Sequence, residues 1–479
     1  MQNRRDFLKQ SALSASVLLV GGCLESAPSS PQKRPNIIYI FTDQQSASMM
    51  SCAGNKWLKT PAMDSIAENG IRFTRAYTTN PVCVPARIGM MTGRFAGSFN
   101  DHNGKPAREN IGGMKIGRIS DEAANTTIAA FLKKAGYDLV YGGKQHLPAG
   151  LRPEALGFHV ICDDERELLA EETAQYIKSK HDKPYYMVVS LINPHDICYQ
   201  AIKDFAQTAS EKGIVKGGRL EIATLDKAMK MPENISEEEF FERYCPPLPP
   251  NYEPQKDEPD AIKYLLEQRN FRRMARQYYT DRQWRLHRWA YCRLTEFVDN
   301  QVRTILDAIR QSGAEENTLV IFSSDHGDMD SSHRMEHKDT LYEEAANVPF
   351  MAMWKGRIPA GRVDDTHLVS NGLDLLPTVC DYAGIRGVAD PRGKSLRPLF
   401  EGSRVKWRDT LGVESEIGRM VVDKDKLKYI RYDAEGIEEQ LLDLNRDPHE
   451  MTHFTDDPKY ASILAELRKS FEKEWFPGY

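Results

Sequence analysis

The sequence predicts an α/β fold: a large mixed, mostly parallel central sheet flanked by helices, followed by a smaller C-terminal α+β subdomain. Three observations carry the prediction. First, three short apolar, β-branched runs each end in polar residues. Asn36–Phe41 leads into Thr42-Asp43, Tyr185–Ile192 into Asn193-Pro194-His195-Asp196, and Thr318–Ser323 into Ser324-Asp325-His326-Gly327. Such runs read as buried strands, and ligand sites in open α/β sheets gather where strands of this kind end. Second, the runs alternate with helical stretches such as Glu122–Gly136 and Trp289–Ser312, the alternation expected of a parallel sheet with crossover helices. Third, the character changes after about residue 405. Leu427–Tyr432 and Gln440–Leu444 read as strands around a turn-prone Asp433-Ala434-Glu435-Gly436, and an amphipathic helix follows Pro458.

These elements divide the chain into a main domain over residues 35–404 and a subdomain over 405–479. Within the main domain, about 233–276 breaks the rhythm. It is rich in Pro, Glu and Lys and includes Pro246-Pro247-Leu248-Pro249-Pro250. It reads as an insertion that wraps the surface, either a solvated loop or a wall of a cleft.

The N-terminus carries a different message. Arg4 and Arg5 precede Phe7, Leu8 and Lys9, and an uncharged apolar run follows. That run falls short of the ~20 apolar residues a membrane span needs. Residues 1–23 therefore read as a signal peptide with a twin-arginine start, which predicts export by that route to the periplasm or cell surface. Val20-Gly21-Gly22-Cys23 resembles a bacterial lipobox, making Cys23 a candidate lipid anchor; the alternative is a plain signal peptide with an incidental cysteine. Residues 24–34 are a Ser/Pro-rich linker.

Composition excludes several classes. A formal net charge of −5 gives no reason to expect nucleic acid. The eight cysteines form no CxxC pair, which argues against a zinc ribbon or thioredoxin-type site, and a chain of 479 residues is no dense disulfide scaffold.

The most specific segment is Cys83-Val84-Pro85-Ala86-Arg87, continuing to Thr92-Gly93-Arg94. It resembles the signature of the formylglycine-dependent (type I) sulfatases of the alkaline-phosphatase superfamily. Other segments follow in the family's order: Gly143-Lys144-Gln145-His146, Asn193-Pro194-His195-Asp196, Asp325-His326-Gly327, His337-Lys338-Asp339-Thr340, Asp374-Leu375-Leu376-Pro377-Thr378, and Leu441 to Pro448. The resemblance runs from about Pro35 to the C-terminus. It implies an alkaline-phosphatase-like sheet and a sulfuric-ester hydrolase.

The resemblance implies that Cys83 is oxidised to formylglycine (3-oxoalanine) by a maturation enzyme. Once hydrated, the aldehyde offers two hydroxyls on one carbon, one to attack sulfur and one to expel sulfate afterwards, so the nucleophile carries its own release step. It also implies a divalent metal held by Asp43, Gln44, residue 83, Asp325 and His326. Hard oxygen ligands suit calcium, with magnesium the alternative. Many relatives have Asp where Gln44 stands and Asn where His326 stands; both replacements still offer a ligand atom. Arg87 is expected to steady the nucleophile and metal ligands, and Lys144 and Lys338 to bind sulfate oxygens as charge develops. His146 is expected to take the proton of the second hydroxyl, and His195 to protonate the leaving alcohol. His333 and His337 are read as supporting residues.

Export and tethering favour a sulfated oligosaccharide or polysaccharide as substrate. Two rivals remain at this stage: a phosphonate monoester or phosphodiester hydrolase of the same superfamily, and an inactive lipid-anchored glycan-binding protein. One metal's worth of ligands and the joint presence of Cys83, Arg87, Lys144, His195 and Lys338 argue for the sulfatase.

Overall fold

Three strands that the sequence marks as buried lie side by side in the middle of one sheet. The computed structural model describes residues 34–100, 104–109, 119–388, 392–434, 436 and 438–476. The signal peptide and all of the linker except Arg34 lie outside the described residues. In chain order the strands are β1 (Asn36–Asp43), β2 (Gly70–Phe73), β3 (Ala76–Tyr77), β4 (Asp138–Gly143), β5 (His159–Cys162), β6 (Tyr185–Pro194), β7 (Thr318–Ser324), β8 (Phe350–Met353), β9 (Arg362–Asp364), β10 (Val369–Ser370), β11 (Thr410–Ser415), β12 (Gly418–Asp423), β13 (Leu427–Tyr432) and β14 (Glu439–Asp443).

The main sheet has the order β5-β4-β6-β1-β7-β8-β2-β9. Every pairing is parallel except the two made by β8. Alternate residues of β1 enter opposite layers. Ile37, Tyr39 and Phe41 pack with Tyr186, Val188, Leu319 and Ile321 on one face. Ile38 and Ile40 pack with Met187, Val189, Val320 and Phe322 on the other. A strand covered on both faces has no polar side, which is why these three read as continuous apolar runs.

The second layer is sealed by a 31-residue helix, Asp281–Gln311, through Val298, Val302, Ile305 and Ile309. It starts eight residues before the stretch visible from apolar spacing. Thr280 and Gln283 close a capping box there that fixes its first turn. The expected helix over Glu122–Gly136 is interrupted. Asp121–Ala124 ends, and Thr127 caps a new start by accepting from the Ala130 N–H, giving Ile128–Lys134.

Strand register sets the site. Asp43 is level with Pro194, Gly143 with Ser190, and Thr42 with Ser324. Four neighbouring parallel strands therefore end on one edge, and the residues that leave them are Asp43-Gln44, Lys144, His195 and Asp325-His326. Gly143 makes the close approach of β4 to β6 feasible: its φ is 88°, and a Cβ there would stand 2.2 Å from the Ser190 carbonyl oxygen.

The C-terminal sheet is an antiparallel meander, β11-β12-β13-β14. Val421, Tyr429 and Leu441 face the closing helix Ala461–Trp475, while Met420, Val422, Ile430 and Leu442 face Leu341 and Tyr342 of the main domain. The second face is thus part of the main body's packing. The 233–276 stretch is more helical than its composition implies, with helices at Asp260–Glu267 and Asn270–Tyr278. It packs on the segment around residue 338: Phe271 lies against His337, and Asn251 accepts a hydrogen bond from the His333 N–H.

Candidate active site

Cys83 opens a ten-residue helix, Cys83–Thr92, in which every residue is buried. The spacing of the motif follows from helix geometry. Arg87 lies four residues on and shares the face of Cys83. Pro85 falls in the first turn, where a missing N–H costs nothing. Gly93 ends the helix with φ 66°, the left-handed cap position. The Cys83 Sγ sits 3.1 Å from His326 Nε2, 3.1 Å from Lys338 Nζ and 3.5 Å from Asp43 Oδ1. Burial and the Asp43 charge oppose ionisation of the thiol, but Lys338, Lys144 and His326 outweigh them and hold it well below the usual thiol range. The described cysteines, Cys83 included, are unpaired.

Arg87 takes one oxygen of each carboxylate, while Asp325 Oδ1 accepts from the Gln44 and His326 N–H groups at 3.1 and 2.9 Å. Its NH2 binds Asp43 Oδ2 at 2.8 Å and its Nε binds Asp325 Oδ2 at 2.9 Å; Lys144 Nζ adds a second cation at Asp43 Oδ2, 2.7 Å away. The Oδ1 atoms of both residues turn instead toward His326, at 3.7 and 3.5 Å. His326 donates from Nδ1 to the Gly327 carbonyl at 2.8 Å, which turns Nε2 toward the same point; against burial, the Asp325 charge raises the ring above the usual imidazole range, and a bound cation would take the place of the Nε2 proton. Ligand atoms of Asp43, Cys83, Asp325 and His326 all lie within 4.8 Å of one another.

This donor set fits a divalent cation. Burial, then the neighbouring Asp43 charge, push Asp325 up, while the charges of Lys144, Arg87 and Lys338 overcome burial and hold Asp43 ionised. A cation between two converging buried carboxylates relieves their repulsion. Gln44 joins them from the β1 end with φ 72°. Its Nε2 donates to Asp328 Oδ2 at 2.6 Å, so its Oε1 points inward, where it accepts from Lys338 Nζ at 2.8 Å and from the Cys198 thiol at 3.1 Å.

The other expected residues divide. Lys144 and Lys338 are brought together at Cys83. His195 is close enough to Lys144, Asp43, Lys338 and Cys83 to feel each; burial first, then Lys144, keep its ring neutral. His146 is half-buried with φ 43°, and its Nδ1 has no partner among the described residues. His333 stacks on Tyr342 with centroids 4.5 Å apart, and burial lowers it to about 4. Three contributors have no distinctive sequence signal: Ser190, whose Oγ accepts from Arg87 NH1 at 2.9 Å; Asp328, which fixes the Gln44 amide; and Cys198. A buried serine at the end of a strand and an aspartate in a turn look like ordinary residues until the register is known.

The sheet, its strand-end carboxylates and a buried cysteine at a helix start match the architecture of the alkaline-phosphatase superfamily. The sulfatase family model matches residues 35–385, and the chain belongs to that family. A second model, N-sulphoglucosamine sulphohydrolase, C-terminal, matches residues 331–475. A Δ4,5-hexuronate-2-O-sulfatase of Bacteroides thetaiotaomicron is 28% identical over 477 residues, covering 94% of this chain and 90% of that protein. An arylsulfatase of Clostridium perfringens is 26% identical over 491 residues, covering 92% and 94%. The solved structure of a 2-O GAG sulfatase superposes with a TM-score of 0.74 at 26% identity, covering 92% of each chain.

Proposed function

We propose that this sulfatase removes sulfate from a carbohydrate, using residue 83 as a hydrated formylglycine made from Cys83 by a separate maturation enzyme. The convergence of Lys338, His326 and Asp43 on the Cys83 Sγ, each within 3.5 Å, carries the reading. Asp43, Gln44, Asp325, His326 and a residue-83 oxygen would hold a calcium ion, with magnesium the alternative. Such an ion supplies positive charge that favours the ionised hydroxyl and the sulfate oxygens.

One hydroxyl of the hydrate attacks sulfur, and the bond from sulfur to the sugar oxygen breaks. His195 delivers a proton to that oxygen. Burial first, then Lys144, keep the ring neutral, and a sulfate anion placed between the two lysines offsets their share of that effect. Lys144 and Lys338 hold the sulfate oxygens. His146 then takes the proton of the second hydroxyl, the carbon–oxygen bond to sulfate breaks with its electron pair leaving on sulfate, and the aldehyde reforms for water to rehydrate.

The carbohydrate rests on the relatives' substrates and on the leader. One relative acts on a hexuronate and a solved neighbour is a GAG sulfatase. The twin-arginine leader and Cys23 would place the enzyme in the periplasm or on the cell surface, tethered there by lipid. Sulfate is favoured over a phosphonate ester because the relatives that match over nearly the whole chain at 26–28% identity are sulfatases. The test has two parts. The residue-83 peptide, from protein co-produced with a maturation enzyme, should show the mass of the aldehyde, and Cys83→Ala should abolish turnover. His195→Ala should cost about a hundredfold or more on alkyl sulfates and far less on activated aryl sulfates. A thiol at residue 83 in fully active enzyme, or equal losses on both esters, would refute the respective step.

A further inference from the structure

Beside the sulfate-binding lysine lies a cluster whose polar atoms are still unspent. Arg272, on the helix Asn270–Tyr278, is only 7% exposed. Its NH2 binds the Asp339 carboxylate, and the neighbouring Phe271 packs on His337 with ring centroids 5.2 Å apart. Asp339 follows Lys338 directly, and its N–H donates to the Pro81 carbonyl at 3.1 Å, two residues before Cys83. Arg272 is thereby fixed one residue along from the lysine that reaches Cys83. Its Nε and NH1 have no partner among the described residues; nor has Asp339 Oδ1, nor either oxygen of Glu416. Glu416 lies near enough to Asp339, Arg272 and Arg269 to respond to all three, and Glu416 and Arg269 are half-buried. The strip thus runs outward from Lys338 through Arg272 and Asp339 to Glu416 and Arg269.

We propose that Arg272 reads a carboxylate on the substrate, so that the sulfated sugar is a uronic acid rather than a neutral or amino sugar. The inference rests on the reading above that the ester is borne by a carbohydrate. Leaving guanidinium donors buried and unpaired forfeits their hydration, a loss that a carboxylate acceptor removes. The balance of donors along the strip supports an anion. Burial, then the Asp339 charge, push Glu416 up to about 8, so at neutral pH it holds its proton. One Asp339 oxygen is already spent on Arg272. What remains is three donors, Arg272 Nε and NH1 and the Glu416 O–H, beside two acceptors, Asp339 Oδ1 and the other Glu416 oxygen, with the Arg269 guanidinium adding positive charge nearby. An amino sugar would bring its positive charge against the two guanidinium groups.

The experiment uses full-length matured enzyme and its Arg272→Lys variant, which keeps a cation for Asp339 and loses the fork. Four substrates are compared: a 2-O-sulfated Δ4,5-hexuronate disaccharide, its carboxyl-reduced counterpart, glucosamine 6-O-sulfate, and 4-nitrophenyl sulfate. Wild type should prefer the carboxylate disaccharide to its reduced form by about tenfold or more in kcat/KM, the effect of one charge-assisted contact. Arg272→Lys should lose about the same factor on the carboxylate substrate, mainly through KM, and stay within about twofold on the reduced sugar and on 4-nitrophenyl sulfate. Equal turnover of the reduced and acidic sugars, preference for glucosamine sulfate, or an equal fall on 4-nitrophenyl sulfate overturns the inference while leaving the carbohydrate reading intact. Turnover of 4-nitrophenyl sulfate with none of the three sugars overturns both.

Discussion

The two halves of the active site are held in different ways. The half that carries the candidate metal ligands stands on strand ends. Asp43 and Asp325 leave adjacent parallel strands, are fully buried, and share Arg87, which is itself anchored to Ser190 and to the Lys144 carbonyl. The Lys338 half stands on an irregular segment between β7 and β8, where Asp330, Ser331, His333, Arg334, His337 and Asp339 all have positive φ. Residues of those types rarely adopt that conformation unless their surroundings impose it. Here distant elements do so. Pro81 takes the Asp339 N–H, Ser415 donates to the Asp339 carbonyl, Lys428 Nζ donates to the Leu341 carbonyl at 3.1 Å, and Glu450 takes the Glu343 N–H at 2.7 Å. A sheet edge positions its ligands through its own ladder, whereas this segment depends on a clamp supplied by the C-terminal sheet. Ligand placement and lysine placement should therefore fail separately.

The largest effect is expected in the first half. Asp325→Asn keeps the shape of the side chain but removes a charge and one acceptor facing His326. Calcium binding, followed calorimetrically, should be lost, and turnover should fall by about a thousandfold or more, the scale of removing a main electrostatic stabiliser. Retention of calcium affinity in this variant would show that the pair Asp43 and Asp325 is not the core of the metal site.

The clamp supplies the second. Lys428 is fully buried between Glu450, at 2.6 Å, and Glu343, at 2.7 Å. Lys428 and the Asn347 and Tyr77 donors overcome burial to hold Glu343 low, whereas burial pushes Glu450 up to about 8. Lys428→Met leaves the buried Glu450 and the partly exposed Glu343 without their cation and should cost up to about 3 kcal/mol of stability. In the protein that remains folded, turnover should drop on the order of tenfold to a hundredfold, since small displacements of positioning groups carry such penalties. Calcium affinity should stay within about twofold of wild type. A parallel loss of calcium affinity would mean that the halves are coupled and the comparison does not hold.

What the sequence disclosed follows the same division. Strands buried on both faces announce themselves as apolar runs, so the ends carrying Asp43, His195 and Asp325 were legible, and the motif around Cys83 marked the helix start on which they converge. Strands of two to six residues such as β2, β8 and β9 carry too little pattern to stand out, and the break at Thr127 sits inside an otherwise helical stretch. The clamp was not legible. Lys428 lies on a strand 90 residues from Lys338 in the chain, and a lone lysine reads as solvated until its partners Glu343 and Glu450 are in view. The same holds for Asp328 and Arg272, whose meaning depends on Gln44 and Asp339.

The smallest effect sharpens the comparison by probing a second joint between the C-terminal sheet and the active-site region. Glu414, on β11, is fully buried; its backbone N–H donates to the Thr79 carbonyl and its Oε1 accepts from the Gly97 N–H at 2.7 Å. Burial pushes its carboxyl from 4.5 up to about 7, with the Gly97 hydrogen bond and Arg108 only partly offsetting it. The folded protein thus holds this proton more tightly than the unfolded chain. The stabilisation it gives is fully present below pH 4.5 and is lost as pH rises through about 7, on the order of 3 kcal/mol at most. Glu414→Gln keeps an acceptor for Gly97 and has no proton to lose. Its stability relative to wild type, read as the difference in urea midpoint, should therefore grow from pH 5 to pH 8. Every other titrating group, and any bound metal, is common to both proteins and cancels in the difference. A difference that stays constant across this range would show that Glu414 titrates normally, and that this joint is open to water where the Lys428 clamp is closed.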